Sequence, residues 1–160
     1  MKIFYWCPFI GNVATIDAVL NSIKSINKYS NNLMEPCLIN SVGEWNLKKK
    51  KINKIKIIDF YKSNLIEYLP KLGFIKSRIT YFLIFFLTVF KLHKILKKQK
   101  PEYLIIHLIT FIPMFLMVLF NYETKFILRI SGYPKLNIFR RTFWKIAGHK
   151  ISYITTPTIS

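Results

Sequence analysis

The fold class is decided by residues 2–28, which read KIFYWCPFIGNVATIDAVLNSIKSINK. Lys2–Cys7 is a short run of β-branched and aromatic residues stopped by a proline, as at the end of a buried strand. After Gly11 and Asn12, the apolar residues of Ala14–Lys28 recur every three or four positions, which indicates an amphipathic helix. The first unit is therefore predicted to be a strand, a glycine-containing loop and a helix.

The rest of the chain repeats this alternation. Further strands are predicted near Cys37–Asn40 and at Ile55–Asp59, Tyr103–His107, Lys125–Ile130 and Ile151–Thr155. Helices are predicted at Ser77–Lys98, Phe111–Phe120 and Ile138–Gly148. The polar Lys48–Lys51 run is interpreted as a solvated loop. Strands alternating with helices favour an α/β, Rossmann-like parallel sheet with helices on both faces, in a single domain over residues 1–160.

The composition is that of a strongly basic chain able to fold. It has 160 residues, 52% of them hydrophobic, which excludes a disordered or low-complexity protein. Twenty-five Lys and Arg against seven Asp and Glu give a net charge of +18, which favours anionic lipids, phosphorylated ligands or polyanions as partners. Nucleic acid is not expected, because no recognition helix, zinc finger or aromatic RNA-binding stretch is found.

The two cysteines exclude several kinds of site. Cys7 and Cys37 are too few and too far apart for a disulfide framework or a zinc site. We expect both to be buried thiols in a reducing compartment, and we expect no metal. A secretory signal is not expected either, because Pro8 interrupts the apolar start of the chain.

A membrane-spanning interpretation is the main structural alternative. Tyr103–Phe120 is eighteen residues long without a formal charge and Ile79–Phe90 is twelve, so a non-enzymatic, basic integral membrane protein built as a helical hairpin stays open. Ile79–Phe90 is too short to span a bilayer. His107 and Pro113 divide the longer segment into a strand, a turn and a helix, which favours the α/β interpretation.

Ligands of an open parallel sheet bind beyond the carboxyl ends of its strands, so the candidate site residues follow the predicted strands. Gly11 and Asn12, before the first helix, suit the approach of a phosphate, although no dinucleotide fingerprint or P-loop lysine is present. His107 ends a strand and could hydrogen-bond a sugar hydroxyl or a phosphate. A lone histidine in such a place is also commonly structural.

A basic corner follows the strand at Lys125–Ile130. Its members are Ser131, Gly132, Arg129, Lys135, Arg140 and Arg141. This corner is the best anion site in the chain, and the alternative is a helix start whose basic side chains face water. No paired carboxylates and no Ser-His-Asp arrangement are found, so no catalytic residue is assigned.

Three stretches carry a resemblance to a known family. They are KIFYWCPFIGNVATIDAV (2–19), PEYLIIHLIT (101–110) and KFILRISGYPKLNIFRRTFWKIAGHKISYITTPT (125–158). Together they resemble the N-terminal domain of glycosyltransferase family 4, which has the GT-B fold. The resemblance implies two Rossmann-like domains facing each other across a cleft, of which the N-terminal one mainly binds the acceptor and the C-terminal one holds the nucleotide-sugar donor.

The resemblance also implies roles for residues. The Gly11–Asn12 loop approaches the donor diphosphate, Ser131 and Gly132 stand where many members place a histidine, and His107 matches a histidine-containing strand end. It implies retaining transfer from a nucleotide-diphosphate sugar, without cofactor or metal, to a polysaccharide or lipid-linked acceptor of the cell envelope. Because the sequence stops at Ser160, we expect a fragment that lacks the donor-binding domain and is inactive alone.

The charge suggests a location. Lys91, Lys94, Lys97 and Lys98 could dock a cytoplasmic enzyme peripherally on the anionic inner face of the cell membrane. The neighbouring phenylalanines Phe82, Phe86 and Phe90 are expected to be core residues. A nucleotide-binding module with another activity is a third hypothesis, disfavoured by the missing glycine fingerprint.

Overall fold

The computed structural model describes residues 1–52, 54–70, 73–130 and 138–156. Within these ranges six strands form one sheet in the order β3-β2-β1-β4-β5-β6, and all five neighbouring pairs are parallel. The strands are β1 Lys2–Trp6, β2 Glu35–Asn40, β3 Lys56–Asp59, β4 Tyr103–Ile106, β5 Lys125–Arg129 and β6 Ile151–Thr155. This is the strand order of a Rossmann-like doubly wound fold, so the predicted α/β class is confirmed.

The connections between the strands are helical. The α-helices are α1 Thr15–Tyr29, α2 Lys49–Ile52, α3 Phe74–Gln99, α4 Phe111–Leu119 and α5 Ile138–Gly148, and 3₁₀ helices occupy Glu44–Lys48 and Leu65–Glu67. The predicted bounds of α5 and β6 agree with the structure residue for residue. The other predicted strands and helices are found within a few residues of their predicted ends.

Helices cover both faces of the sheet, and β1 is therefore buried on both sides. Ile3 and Tyr5 pack with α1, whereas Phe4 and Trp6 belong to the larger core under α3, α4 and α5. All four of these side chains are buried. Burial on both faces explains why β1 reads as an unbroken apolar run rather than an alternating one.

Two predictions about local structure were wrong. Lys48–Lys51 is not a loop: it lies across the 3₁₀ helix Glu44–Lys48 and α2. The side chains of Trp45, in the 3₁₀ helix, and Ile52, at the end of α2, are buried and hold these helical turns against the sheet. Phe82, Phe86 and Phe90 are not core residues either.

These three phenylalanines are exposed to 67%, 66% and 77%, respectively. The reason lies in the geometry of α3, which packs on the sheet through a different side that carries Ile84, Leu92 and Leu96. Apolar residues occur on both sides of this helix, so the sequence pattern does not identify the side that is buried.

The longer uncharged segment does not form one membrane helix. Tyr103–Ile106 is a strand in the middle of the sheet, and a loop separates it from α4. Among the described residues, Lys76–Gln99 of α3 is long and apolar enough to cross a membrane, with a mean hydropathy of 1.7 and one third of its most apolar window buried. Core helices of soluble proteins meet the same criterion. The α/β sheet therefore disfavours the helical hairpin.

Candidate functional site

The candidate site lies at the carboxyl edge of the sheet, between β1 and β4. The strand order runs outward in opposite directions from these two neighbours, so their following loops diverge and leave a crevice. The loop after β1 contains Gly11 and Asn12, and the loop after β4 begins with His107. The fold therefore places three of the sequence-predicted residues at one crevice.

The β1 loop is open to a ligand. Gly11 is exposed, and a Cβ atom built on it meets no other atom within 4 Å. The Oδ1 atom of the neighbouring Asn12 accepts a hydrogen bond from Lys48 Nζ at 3.0 Å. Lys48 was predicted to lie in a solvated loop, whereas in the structure its ammonium group lies beside the β1 loop. A phosphate approaching Gly11 would meet a nearby cation.

His107 is buried at the crevice, with 6% of its surface exposed. Its backbone N–H donates to Trp6 O at 2.9 Å, and its ring stacks on the ring of Tyr5 with the centroids 6.2 Å apart. Neither ring nitrogen finds a hydrogen-bond partner among the described residues. A neutral imidazole carries one donor and one acceptor, and both are unused among the described residues in this buried ring.

The pKa of His107 explains its charge state. Burial, assisted by the positive charge of Arg129, lowers this pKa to about 4. At neutral pH His107 is therefore uncharged and acts as a hydrogen-bonding group. Arg129 ends β5 and is partly exposed, and its positive charge also acts on Tyr5, whose pKa burial raises.

The loop between β4 and α4 is held in an unusual conformation. Ile109 has φ +46°, which is rare for a β-branched residue. Its carbonyl oxygen accepts a hydrogen bond from the indole Nε1 of the fully buried Trp6 at 3.2 Å. Strained backbone of this kind persists where surrounding contacts fix it, and it is concentrated at functional sites. Here it fixes the path of the chain directly after His107.

A polar network at the ends of β2 and β3 was missed by the sequence analysis. Asn40 Nδ2 donates to Asp59 Oδ1 at 2.6 Å and to Asn46 Oδ1 at 3.2 Å, and Asn46 Nδ2 donates to Asn64 Oδ1 at 2.5 Å. The signal was present, because Asn40 and Asp59 both end apolar strands, and these two residues are paired in register. Their side chains satisfy one another and tie the neighbouring loops together.

Glu44 stabilises the turn after β2 in a similar way. Its carboxylate accepts hydrogen bonds from Ser41 N, Ser41 Oγ and Val42 N at 3.1, 2.9 and 2.8 Å. The side chain is completely buried, and desolvation raises its pKa despite these donors. Since all three contacts are local, Glu44 shapes the turn rather than facing the crevice.

The other predicted site residues lie on α5 or outside the described residues. Ser131, Gly132 and Lys135 fall in 131–137, which the structure does not describe. Arg140 and Arg141 lie on α5 and are exposed. In residues 1–52, 54–70, 73–130 and 138–156, no group of three or more His, Cys, Asp or Glu side chains could hold a metal ion.

The predicted membrane-surface lysines lie on α3. Lys94, Lys97 and Lys98 are exposed. Lys91 is different, because its Nζ donates to Phe60 O at 2.5 Å and lies 3.7 Å from the centroid of the Tyr61 ring. These contacts direct Lys91 back onto the protein.

Comparison with known proteins finds similarity in structure but not in sequence. No protein-family model and no curated protein sequence matches the chain. Among solved structures, it is similar to UDP-GlcNAc 2-epimerase from Methanocaldococcus jannaschii, with a TM-score of 0.45 and 13% sequence identity. The match covers 98% of this chain and 38% of the epimerase, so the chain spans well under half of that protein's length.

Proposed function

We propose that this chain is the acceptor-side domain of a glycosyltransferase that transfers a sugar from a nucleotide-diphosphate sugar to a polysaccharide or lipid-linked acceptor. The resemblance of residues 2–19, 101–110 and 125–158 to glycosyltransferase family 4 suggests this reaction. The observation that carries the proposal is the placement of His107 in the β1–β4 crevice, where both ring nitrogens lack a partner among the described residues.

The chemistry of the crevice suits a phosphorylated sugar. Arg129 and Lys48 supply positive charge, and the open backbone at Gly11 allows a diphosphate to come close. His107, neutral at physiological pH, can donate to or accept from a sugar hydroxyl. We assign these residues to binding and orientation.

Most of the groups that hold the donor and stabilise the leaving phosphates belong, in this proposal, to a second, donor-binding domain. Retention of configuration and independence from a metal are part of the proposal, on the resemblance alone. It follows that the isolated domain binds nucleotide sugars weakly and does not turn them over.

The binding site can be tested on this chain by NMR. Titration with UDP, GDP and their sugar conjugates should shift the backbone amides of Gly11, Asn12 and His107. The exposed Gly148, at the end of α5, is the internal control and should not move. Shifts confined to other surfaces, such as the lysines of α1 and α2, would contradict the assigned site.

Sugar transfer needs the second domain. Linked to a donor-binding domain of a GT-B transferase, this chain should pass labelled sugar to a polysaccharide or lipid-linked acceptor. Arg129→Met should slow the reaction, whereas Lys28→Met on the exposed surface of α1 should not. Absence of transfer across a panel of nucleotide sugars, with nucleotide binding retained, would instead support a nucleotide-binding module of another kind.

A further inference from the structure

The outer side of α3 is an apolar surface without a covering layer among the described residues. Phe82, Phe86 and Phe90 follow one another at intervals of four, so they form one row along the helix, and each is at least two-thirds exposed. An exposed apolar patch of this size is typical of an interaction site.

The apolar surface continues onto α4. An apolar groove of about 410 Å³ lies between the two helices. Its lining includes Phe85, Phe86, Phe90, Phe115, Leu119 and Phe120. Leu119 and Phe120 are themselves partly exposed, at 56% and 38%. We call Phe82, Phe86, Phe90, Leu119 and Phe120 the aromatic face.

The charge carried by the two helices of the aromatic face is entirely positive. Neither α3 nor α4 contains an Asp or Glu. Lys94 and Lys98 continue the four-residue row begun by Phe82, and Lys97 lies beside them; all three are exposed. A row of apolar side chains followed by lysines is complementary to an anionic bilayer, which has an apolar interior and a negatively charged surface.

The aromatic face also extends to the edge of the sheet at which the candidate site lies. Lys91 Nζ donates to the carbonyl of Phe60, the first residue after β3. This contact sets Lys91 at the carboxyl edge of the sheet, so the part of α3 that carries Phe82 and Phe86 reaches this edge or beyond it. The crevice with His107 opens at the same edge.

We infer that the aromatic face docks this protein on an anionic phospholipid bilayer. Helix α3 then lies in the plane of the interface, with Phe82, Phe86 and Phe90 entering the headgroup and acyl boundary and Lys94, Lys97 and Lys98 meeting lipid phosphates. This arrangement goes beyond attraction of lysines to a charged surface, because it requires the phenylalanines. It does not depend on the sugar-transfer proposal, since binding of the chain to vesicles needs no nucleotide.

Co-sedimentation of the chain with vesicles tests the inference. We expect binding to phosphatidylglycerol-containing vesicles and much weaker binding to pure phosphatidylcholine. Phe86→Ser with Phe90→Ser should reduce partitioning by roughly tenfold or more, because each exposed ring loses its apolar contact with lipid. The matched control is Tyr29→Ser with Tyr68→Ser, two exposed aromatics outside the face, which should bind like the unaltered chain.

The lysines are tested with equal changes of charge. Replacing Lys94, Lys97 and Lys98 with Gln should lower binding to anionic vesicles on the order of a hundredfold. Replacing Lys24, Lys28 and Lys54 with Gln removes the same charge from exposed positions on the α1 side and should lower binding far less. Equal losses for the two triple variants would overturn the inference in favour of nonspecific attraction.

A fluorescent reporter examines insertion directly. A nitrobenzoxadiazole label on Phe86→Cys should shift its emission to the blue on anionic vesicles, whereas the same label on Tyr29→Cys should not. Both native cysteines are buried, so labelling is directed to the new thiol. Circular dichroism and thermal unfolding of each variant verify that the fold is retained.

Three other outcomes would overturn the inference. Vesicle binding unchanged by the phenylalanine substitutions would mean docking by charge alone. Retention in the pellet after carbonate extraction would mean that α3 spans the bilayer. A stable dimer in sedimentation velocity that Phe86→Ser dissociates, without vesicle binding, would assign the aromatic face to a second copy of this chain. None of these results bears on nucleotide-sugar binding at the crevice.

Discussion

The ring of His107 lies against the ring of Tyr5, 6.2 Å between centroids and 23° from parallel, while the hydroxyl of Tyr5 is hydrogen-bonded to Ser22 Oγ at 2.8 Å. The stack joins the end of β4 to β1 and, through Ser22, to α1. His107 is thus fixed in place from one side, and its ring nitrogens remain without a partner among the described residues.

Stability should depend on pH through His107. Its pKa is about 4 in the folded chain and near 6.5 when unfolded, so the unfolded state binds more protons between these values. The free energy of unfolding should therefore fall by about 3 kcal/mol as pH falls from 7 to 4. In urea unfolding across this pH range, the free energy of unfolding should fall less for His107→Phe than for the unaltered chain.

His149→Phe is the control for this experiment. His149 is exposed, so His149→Phe removes a histidine without changing the packed interior. Burial also lowers the pKa of His93. His93 therefore contributes a loss of stability at low pH that remains in both variants. Parallel pH profiles for His107→Phe and the unaltered chain would show that His107 is not buried as a neutral ring.

Two glycines should respond oppositely to alanine. Gly43 has φ +90°, and a Cβ atom there would lie 2.7 Å from Asn64 Cα and 3.1 Å from Ser63 O. Gly43→Ala should cost about 3 kcal/mol of unfolding free energy, from strain and from the backbone clash. Gly11→Ala meets open space and should change stability by less than about 0.5 kcal/mol.

Gly11→Ala also distinguishes an effect on nucleotide binding from an effect on stability. If a diphosphate approaches the backbone at Gly11, Gly11→Ala should weaken nucleotide binding in the NMR titration while the melting temperature stays unchanged. Equal affinity for Gly11→Ala and the unaltered chain would remove Gly11 from the binding loop.

The buried carboxylate of Glu44 should be needed for folding. Glu44→Ala leaves the N–H groups of Ser41 and Val42 and the hydroxyl of Ser41 without their acceptor in the interior. We expect a loss of roughly 3 kcal/mol in chemical denaturation. Glu67→Ala, at an exposed position, should cost under about 0.5 kcal/mol, and a similar cost for both would contradict the role of Glu44.

Both thiols should be unreactive in the folded chain. Burial, reinforced by the charge of Glu44, raises the pKa of Cys7 to about 12, and burial also raises the pKa of Cys37. Since the thiolate is the reactive form, a disulfide reagent should label neither residue until the protein unfolds. A Tyr29→Cys variant should react at once with one equivalent, and rapid reaction of the unaltered chain would contradict the burial.

The sequence predicted the sheet and helices well because each has a local signal. The helix Ile138–Gly148 has an apolar period and a terminal glycine, and the strand Lys125–Arg129 contains the apolar run Phe126–Leu128. Gly11 and His107, predicted as site candidates because they follow strands, lie at the carboxyl edge of the sheet. The side on which an element is buried, and contacts between distant loops, have no such local signal.

Two examples show this limit. Phe82, Phe86 and Phe90 were expected in the core because the whole segment is apolar, and only the packing of Ile84 and Leu92 determines which side faces the sheet. The contact of Lys48 with Asn12 spans 36 positions and follows from the helical turns after β2. Neither can be obtained from spacing along the chain.

The central position of β1 has a consequence for biosynthesis. The helix that covers Ile3 and Tyr5 follows β1 directly and leaves the ribosome soon after it, but Phe4 and Trp6 wait for α3 and α4. Until α3 emerges, the nascent chain therefore displays an uncovered aromatic surface. Chaperone capture, and aggregation when capture fails, should be most pronounced for chains arrested before α3 emerges.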